Sequence, residues 1–275
     1  MSAWTRWAAG LAWLALLSAQ VSESVNITEL RVPEVVEHNT NSTAILDCVY
    51  DLPDDGVNLL LVKWYFGDEN HQVYQWGLGL EPAGSGVLKG RLHLGHVASP
   101  ELLKKHRALS VSNPTVDLSG TYICRVMTNS GVVTEAKKMI VYAPARAMNL
   151  TQDKPSPSSV NITCVVEGVF PAPLLEVFAK REDKEDGRRL LSNVIQRTEA
   201  TEEGRFDAVA YALVEDGSLE GRTTFECVMT IPETQYRLQR HISYASGATL
   251  AASIGPPCTQ TGRQHKAASN PYLGY

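Results

Sequence analysis

Five cysteines are the residues of this 275-residue chain that could form covalent cross-links. Cys48 and Cys124 are far apart in the chain, and Cys164 and Cys227 form a second well-separated pair. Such spacing suits a disulfide that joins two facing strands. We predict these two bridges, which leave Cys258 without a partner. Cys258 is therefore either the site of an interchain bond in a homodimer or a free or capped thiol.

Other patterns that could perform chemistry are missing from the sequence. The seven histidines include no H-E-x-x-H pair, and the cysteines lack the spacing of zinc ligands. There is no G-x-S-x-G elbow and no phosphate-binding glycine loop. We therefore expect no enzyme activity, no metal and no cofactor.

The N-terminus is typical of a secretory signal peptide. Arg6 precedes a mostly apolar run that ends at Ser18 and Ala19. The alternative, a membrane-spanning helix, needs about 20 apolar residues, and this run is shorter. We predict a signal peptide over residues 1–19, cleaved after Ala19 or Ser22, and a secreted or extracellular protein. A net charge of −5 argues against binding to nucleic acid.

Short β-rich runs separated by turn residues fill residues 25–143, and no long helical periodicity interrupts them. Trp64 lies between the first two cysteines, and Tyr122 stands two positions before the second. This arrangement is typical of the immunoglobulin fold, in which the indole packs on the disulfide and the tyrosine hydroxyl bonds back to the backbone. We predict a variable-type β-sandwich with these two residues in its core, together with a pair between Asp117 and Arg91.

A second sandwich is predicted over residues 146–245, where the closer cysteine spacing favours a constant-type domain. Phe178 stands where such domains normally carry tryptophan, so we assign it to the core. Phe225 occupies the position of the corner tyrosine. Residues 246–275, rich in Ser, Gly, Ala and Pro, are predicted to form a disordered tail. The predicted fold is all-β, with two tandem domains.

Strand alternation also predicts a surface for binding another protein. Because Trp64, Tyr122 and Cys124 must point inward, their neighbours point outward. On the next strand, Tyr74 and Trp76 share one face; they either join the outward set or cover the edge of their own domain. The types in this set are enriched at protein interfaces. The predicted partner-binding residues are Lys63, Tyr65, Tyr74, Trp76, Arg125 and Met127.

Two further surface features concern sugars. Four sequons predict N-linked glycans at Asn26, Asn41, Asn149 and Asn161, as expected for a secreted chain. A basic run over residues 104–107 could contact heparan sulphate weakly, although such a run is more often a solvated loop.

Three strings in the first domain resemble the beaten-path family of arthropod neuronal proteins. They are Val62-Lys63-Trp64-Tyr65, Gln72-Val73-Tyr74-Gln75-Trp76 and Ser119-Gly120-Thr121-Tyr122-Ile123-Cys124-Arg125-Val126. The resemblance covers both domains and is looser over the second. It implies a pair of immunoglobulin domains that binds sidestep-family receptors in axon guidance or synaptic partner choice. The glycine-rich segment 78–90, with its single Pro82, departs from the proline-rich segment usual in that family.

Two other interpretations of the sequence remain open. The vertebrate costimulatory and butyrophilin-like proteins also combine a variable-type with a constant-type domain, although they usually carry a transmembrane helix. A soluble immune-type recognition factor would use the same sandwich.

Overall fold

The computed structural model describes residues 24–53, 56–182, 187–219 and 221–246. The predicted signal peptide and most of the predicted tail, including Cys258, lie outside these residues.

The first domain is a sandwich of two sheets. One sheet has the strand order β1-β3-β7 and the other the order β2-β9-β8-β4-β5-β6. Strands β2 and β9 run parallel, and the other pairs are antiparallel. Short 3₁₀ turns cover Gly86–Leu88, Leu102–Lys104 and Val116–Leu118. The strands are β1 (Asn26–Arg31), β2 (Val35–Glu37), β3 (Thr43–Asp51), β4 (Leu60–Phe66), β5 (Gln72–Gly77), β6 (Leu80–Gly84), β7 (Leu109–Ser112), β8 (Gly120–Thr128) and β9 (Gly131–Tyr142).

The second domain stacks a sheet of order β10-β11-β15-β14 on a sheet of order β13-β12-β16-β17. The first of these is the four-stranded sheet expected of a constant-type domain. A 3₁₀ turn covers Asp216–Ser218. The strands are β10 (Ala147–Ser156), β11 (Ser159–Val169), β12 (Leu174–Arg181), β13 (Arg188–Leu190), β14 (Val194–Ala200), β15 (Phe206–Glu215), β16 (Arg222–Thr230) and β17 (Arg237–Ala245). The fold is all-β, with two tandem immunoglobulin-like domains.

Both predicted disulfides are present, and each joins the two sheets of one domain. The Cα atoms of Cys48 and Cys124 are 6.4 Å apart, and those of Cys164 and Cys227 are 6.3 Å apart. Trp64 is fully buried and lies directly opposite Cys124 in the register of β4 and β8. The first core is therefore built around the predicted bridge and indole.

The assignment of Phe178 to the second core was wrong. Val177 lies opposite Cys227 and is fully buried, so it occupies the position that Trp64 holds in the first domain. Phe178, one residue later, faces the other side of the strand. There the guanidinium carbon of Arg188 lies 3.5 Å from its ring centroid. The aromatic residue was assigned by type, whereas strand parity gives the core position to valine.

Contacts between the two domains begin at the end of β9. Ala143 and Phe170 exchange backbone hydrogen bonds of 2.8 and 3.1 Å across the junction. The ring centroids of Tyr142 and Tyr236 are 5.5 Å apart. The Lys138 ammonium contacts both carboxylate oxygens of Glu233, at 2.7 and 2.9 Å. A backbone bridge, a ring contact and an ion pair thus hold the second domain to β9.

The predicted tyrosine corner forms at the start of β8. The buried Tyr122 hydroxyl donates a hydrogen bond of 3.0 Å to the carbonyl of Leu118, and burial raises the pKa of this tyrosine. A Cβ at Gly120 would lie 2.7 Å from the Phe66 ring, so glycine lets this ring pack closely beside the corner. The corner therefore fixes how the chain enters the central sheet.

We expect Tyr122→Phe to lower the free energy of unfolding of the first domain by about 1 to 3 kcal/mol, because the Leu118 carbonyl would stay buried without its donor. A chain that starts after the predicted cleavage site keeps only Trp64 and Trp76, so tryptophan fluorescence in urea reports on this domain alone. Tyr211→Phe in the second domain is the matched control. An unchanged urea midpoint for the Tyr122 variant would contradict the role given to the hydroxyl.

Candidate protein-binding face

Strands β4 and β8 form the middle of the six-stranded sheet and carry the candidate site. Trp64 and Cys124 point into the core, so the residues between the inward positions point away from it. Lys63 lies opposite Arg125, and Leu61 lies opposite Met127. We call the outward residues of these strands the β4–β8 outer face: Leu61, Lys63, Tyr65, Ile123, Arg125 and Met127.

Arg125 connects this face to a turn and to the next strand. It forms an ion pair with Glu69 in the turn after β4, and this hydrogen-bonded contact raises the pKa of Arg125. Its guanidinium carbon lies 5.2 Å from the Tyr65 ring centroid, and its Nε lies 3.3 Å from the Thr134 hydroxyl. Tyr65 therefore faces outward as predicted but is covered, with only 6% of its surface exposed.

Lys63 is the cation of this face that lacks a counter-ion. Among the described residues, no acidic side chain lies within ion-pair distance of its ammonium. Its cross-strand neighbours are Arg125 on β8 and Gln75 on β5. Like charges directly opposite each other on a sheet are destabilising. Glu69 neutralises only one of the two, so the centre of the face keeps a positive charge.

The prediction that Tyr74 and Trp76 are exposed partner-binding residues was wrong. They share one face, as predicted, but Tyr74 lies opposite Trp64 and therefore points into the core. Only 3% of Tyr74 and 5% of Trp76 is exposed. The Tyr74 hydroxyl donates a 2.8 Å hydrogen bond to the His106 carbonyl, and the Trp76 ring meets the His106 ring edge-on at 5.7 Å. These aromatics cover the edge of their own domain.

The chain before β7 is held by polar tips of buried aromatic residues. The Tyr50 hydroxyl donates to the carbonyl of Leu103 at 2.6 Å, and the Trp64 indole N–H donates to that of Arg107 at 3.1 Å. With the bond from Tyr74 to His106, three such hydrogen bonds hold residues 103–107. Sequence reasoning missed the arrangement, although buried tyrosines and tryptophans generally need such partners.

Three of the four side chains in the basic run over residues 104–107 have partners within the domain. Arg107 pairs with Asp47 through two hydrogen bonds, Nε to Oδ1 at 2.8 Å and Nη2 to Oδ2 at 3.1 Å. Lys104 forms a 3.0 Å pair with Glu101, and His106 Nδ1 lies 2.8 Å from the His96 carbonyl oxygen. The run does not present four free cations, which argues against the predicted contact with heparan sulphate.

The predicted pair of Arg91 and Asp117 forms, at 2.8 Å, but not in the core. The Asp117 side chain is 48% exposed. Its partial burial acts to raise the pKa, whereas hydrogen bonds from Thr115 and Arg91 outweigh burial and lower it. The pair therefore closes the edge of the sandwich as an ionised contact.

None of the four sequon asparagines lies on a strand of the six-stranded sheet. Asn26 is on β1, and Asn41 is in the turn before β3. Asn149 and Asn161 are on β10 and β11 of the second domain. The β4–β8 outer face carries no glycan acceptor.

One of the comparisons with known proteins agrees with this architecture. No family model matches the chain, and no curated protein sequence matches it. Among solved structures, bovine butyrophilin is similar with a TM-score of 0.57 and 13% identity, covering 77% of this chain and 94% of that one. The extracellular portion of mouse CD200RLa is similar with a TM-score of 0.44 and 14% identity, covering 78% and 99%. The likeness to butyrophilin shows the immunoglobulin-like fold alone.

Within the described ranges, no helix has the length and apolar character needed to cross a membrane. No cluster of three or more His, Cys, Asp or Glu side chains in those ranges is arranged to hold a metal ion.

We expect Asp47→Ala to destabilise the first domain by about 3 to 5 kcal/mol, because it leaves the Arg107 charge buried without a partner. The two side chains are only 13% and 11% exposed. Urea unfolding followed by tryptophan fluorescence measures the loss, and the double variant Asp47→Leu with Arg107→Met should recover part of it. Glu101→Ala, which breaks the more exposed pair with Lys104, should cost less than about 1 kcal/mol. Equal losses for the two single variants would contradict this ranking.

Proposed function

We propose that this chain is an extracellular recognition protein that is not an enzyme and that binds the ectodomain of a partner through the β4–β8 outer face. The observation that carries the proposal is the row of Lys63 and Arg125 at the centre of this face. Their charges exceed what Glu69 neutralises, and Met127 and Leu61 lie beside them. A positive centre with flanking apolar side chains suits a specific protein partner.

The positions of the sequons support the choice of face. A glycan is bulky, so a surface that carries one is a poor docking surface. In the first domain, Asn26 lies on β1 of the three-stranded sheet and Asn41 lies just before β3 of the same sheet. Asn149 and Asn161 lie on β10 and β11 of the second domain. The outer face of the six-stranded sheet is therefore free of predicted sugar. This sheet is also the larger one in the first domain, which gives it room for a standard-sized interface.

The charge of the face specifies its partner. Arg125 is held by Glu69 and by the Tyr65 ring, so its position is fixed. Lys63 is free to form an ion pair with a partner. We infer that the partner places a carboxylate over Lys63, because a cation covered at an interface without a counter-ion would oppose binding.

The resemblance to the beaten-path family supports sidestep-family receptors as the partner class, with roles in axon guidance or synaptic partner choice. A costimulatory or butyrophilin-like ligand is the second candidate, because such proteins also combine a variable-type with a constant-type domain. A pairwise binding screen of the secreted full-length chain against ectodomains of both classes, and against itself, separates the candidates. Reducing and non-reducing electrophoresis of the same protein tests whether Cys258 forms the interchain bond of a homodimer or stays a free or capped thiol.

We expect Lys63→Glu to weaken binding to the partner by roughly tenfold or more, about 1.4 kcal/mol, because the new carboxylate faces the partner's own. Lys63 is only half-buried, so the domain should still fold and be secreted. Surface plasmon resonance with the immobilised full-length chain measures the change.

Lys89→Glu is the matched control, since it makes the same charge change in the same domain at an exposed position after Leu88. It should leave the affinity within about twofold, because surface charges outside an interface act only at long range. Normal binding by the Lys63 variant, or equal losses for both variants, would rule out the β4–β8 outer face as the docking site.

A further inference from the structure

A second exposed face, in the other domain, combines apolar residues with predicted glycan sites. In the sheet β10-β11-β15-β14, inward positions such as Ile162 and Ala210 alternate with outward ones. Leu213 is 61% exposed and Ile195 is 54% exposed. Val165, Val209 and Tyr211 on the same face are also apolar and only partly buried, and polar residues such as Thr163 and Arg197 border them. We call this set the β11–β15 outer face: Val165, Ile195, Val209, Tyr211 and Leu213.

The register of the strands puts both sequons of this domain on the same face. Asn161 lies directly opposite Leu213, and Asn149 lies directly opposite Val165. The sequon threonines Thr151 and Thr163 face each other between the two asparagines. Adjacent strands are about 4.8 Å apart, so the first sugar of each glycan would lie next to an apolar side chain. Period-two spacing keeps each asparagine on the face of its own threonine.

The Asn161 side chain can accept a glycan without breaking the sheet. Its Nδ2 lies 3.4 Å from Asp153 Oδ2 and 3.4 Å from Thr163 Oγ1, and both distances are long for hydrogen bonds. Substitution at Nδ2 removes one hydrogen, so one of these weak contacts can remain. Asn149 is exposed at the outer edge of the sheet.

We propose that N-linked glycans on Asn149 and Asn161 cover the β11–β15 outer face and prevent the chain from associating with itself through this face. Each Nδ2 loses a proton and bonds to the anomeric carbon of an oligosaccharide, and the diphosphate of the lipid-linked donor is the leaving group. Monomeric soluble proteins rarely expose large contiguous apolar patches, so this face needs a cover. The proposal rests on entry of the chain into the secretory pathway, and it is independent of the β4–β8 outer face.

The test begins with the full-length chain secreted from cultured mammalian cells. The glycans are removed from the peptides with a glycosidase in heavy-oxygen water, which labels each asparagine that carried a sugar. Mass spectrometry of the peptides then reports which asparagines were occupied. The double variant Asn149→Gln with Asn161→Gln should then raise the fluorescence of an apolar dye about twofold or more, and its mass by light scattering should increase with concentration.

The variant Asn26→Gln with Asn41→Gln removes the same number of glycans from the first domain and should leave both readings unchanged. Adding Leu213→Asp and Ile195→Asp to the second-domain variant should restore the monomer. If the glutamine variant is not secreted, enzymatic deglycosylation of the folded Asn26→Gln with Asn41→Gln variant, whose two remaining sequons are Asn149 and Asn161, gives the same comparison.

Three results would overturn the proposal: unoccupied Asn149 and Asn161, a deglycosylated second domain that stays monomeric with unchanged dye binding, or a glycosylated wild-type dimer that Leu213→Asp dissociates. The last result would make a second copy of the chain the occupant of the face. A failure of Lys63→Glu to affect partner binding would leave all these readings unchanged, so the two proposals fail separately.

Discussion

The packing of Trp64 opposite Cys124 is the contact on which the rest of the first domain depends. Successive residues of a strand point to opposite faces, so one inward side chain assigns a direction to its neighbours. On β4 that assignment puts Lys63 and Tyr65 outside. The same register puts Arg125 beside them on β8. The indole N–H also reaches the chain before β7, so one residue joins the disulfide, the central sheet and the loop that closes the core.

Sequence reasoning succeeded wherever it could start from a residue with a known direction. The disulfides, the tyrosine corner and the outward residues of β4 and β8 all follow from the cysteines and Trp64. It failed on β5, where the direction of Tyr74 depends on pairing with β4. A register shift between Trp64 and Tyr65 changes which residues of β5 point into the core, and the sequence contains no signal for this shift.

The error at Phe178 has a different cause. An aromatic residue near the expected position was preferred over the valine that strand parity selects. In the second domain, Val177 therefore lies beside the disulfide, and the Phe178 ring lies outside the core beneath Arg188. Arg188 is also paired with Glu226 at 2.8 Å. Strand register therefore predicts the core residue of β12 better than residue type does, because the Phe178 ring is covered by the Arg188 guanidinium outside the core.

Strand β9 has a mechanical consequence for the proposed binding of a partner. The strand is continuous from Thr134, beside the proposed docking residues, to Tyr142 at the domain junction. A pulling force applied by a bound partner would travel along this backbone to the second domain. Because β9 pairs antiparallel with β8 over nine residue pairs, such a load would shear many hydrogen bonds together instead of opening them one at a time. The load would therefore reach the second domain through the hydrogen bonds between β8 and β9.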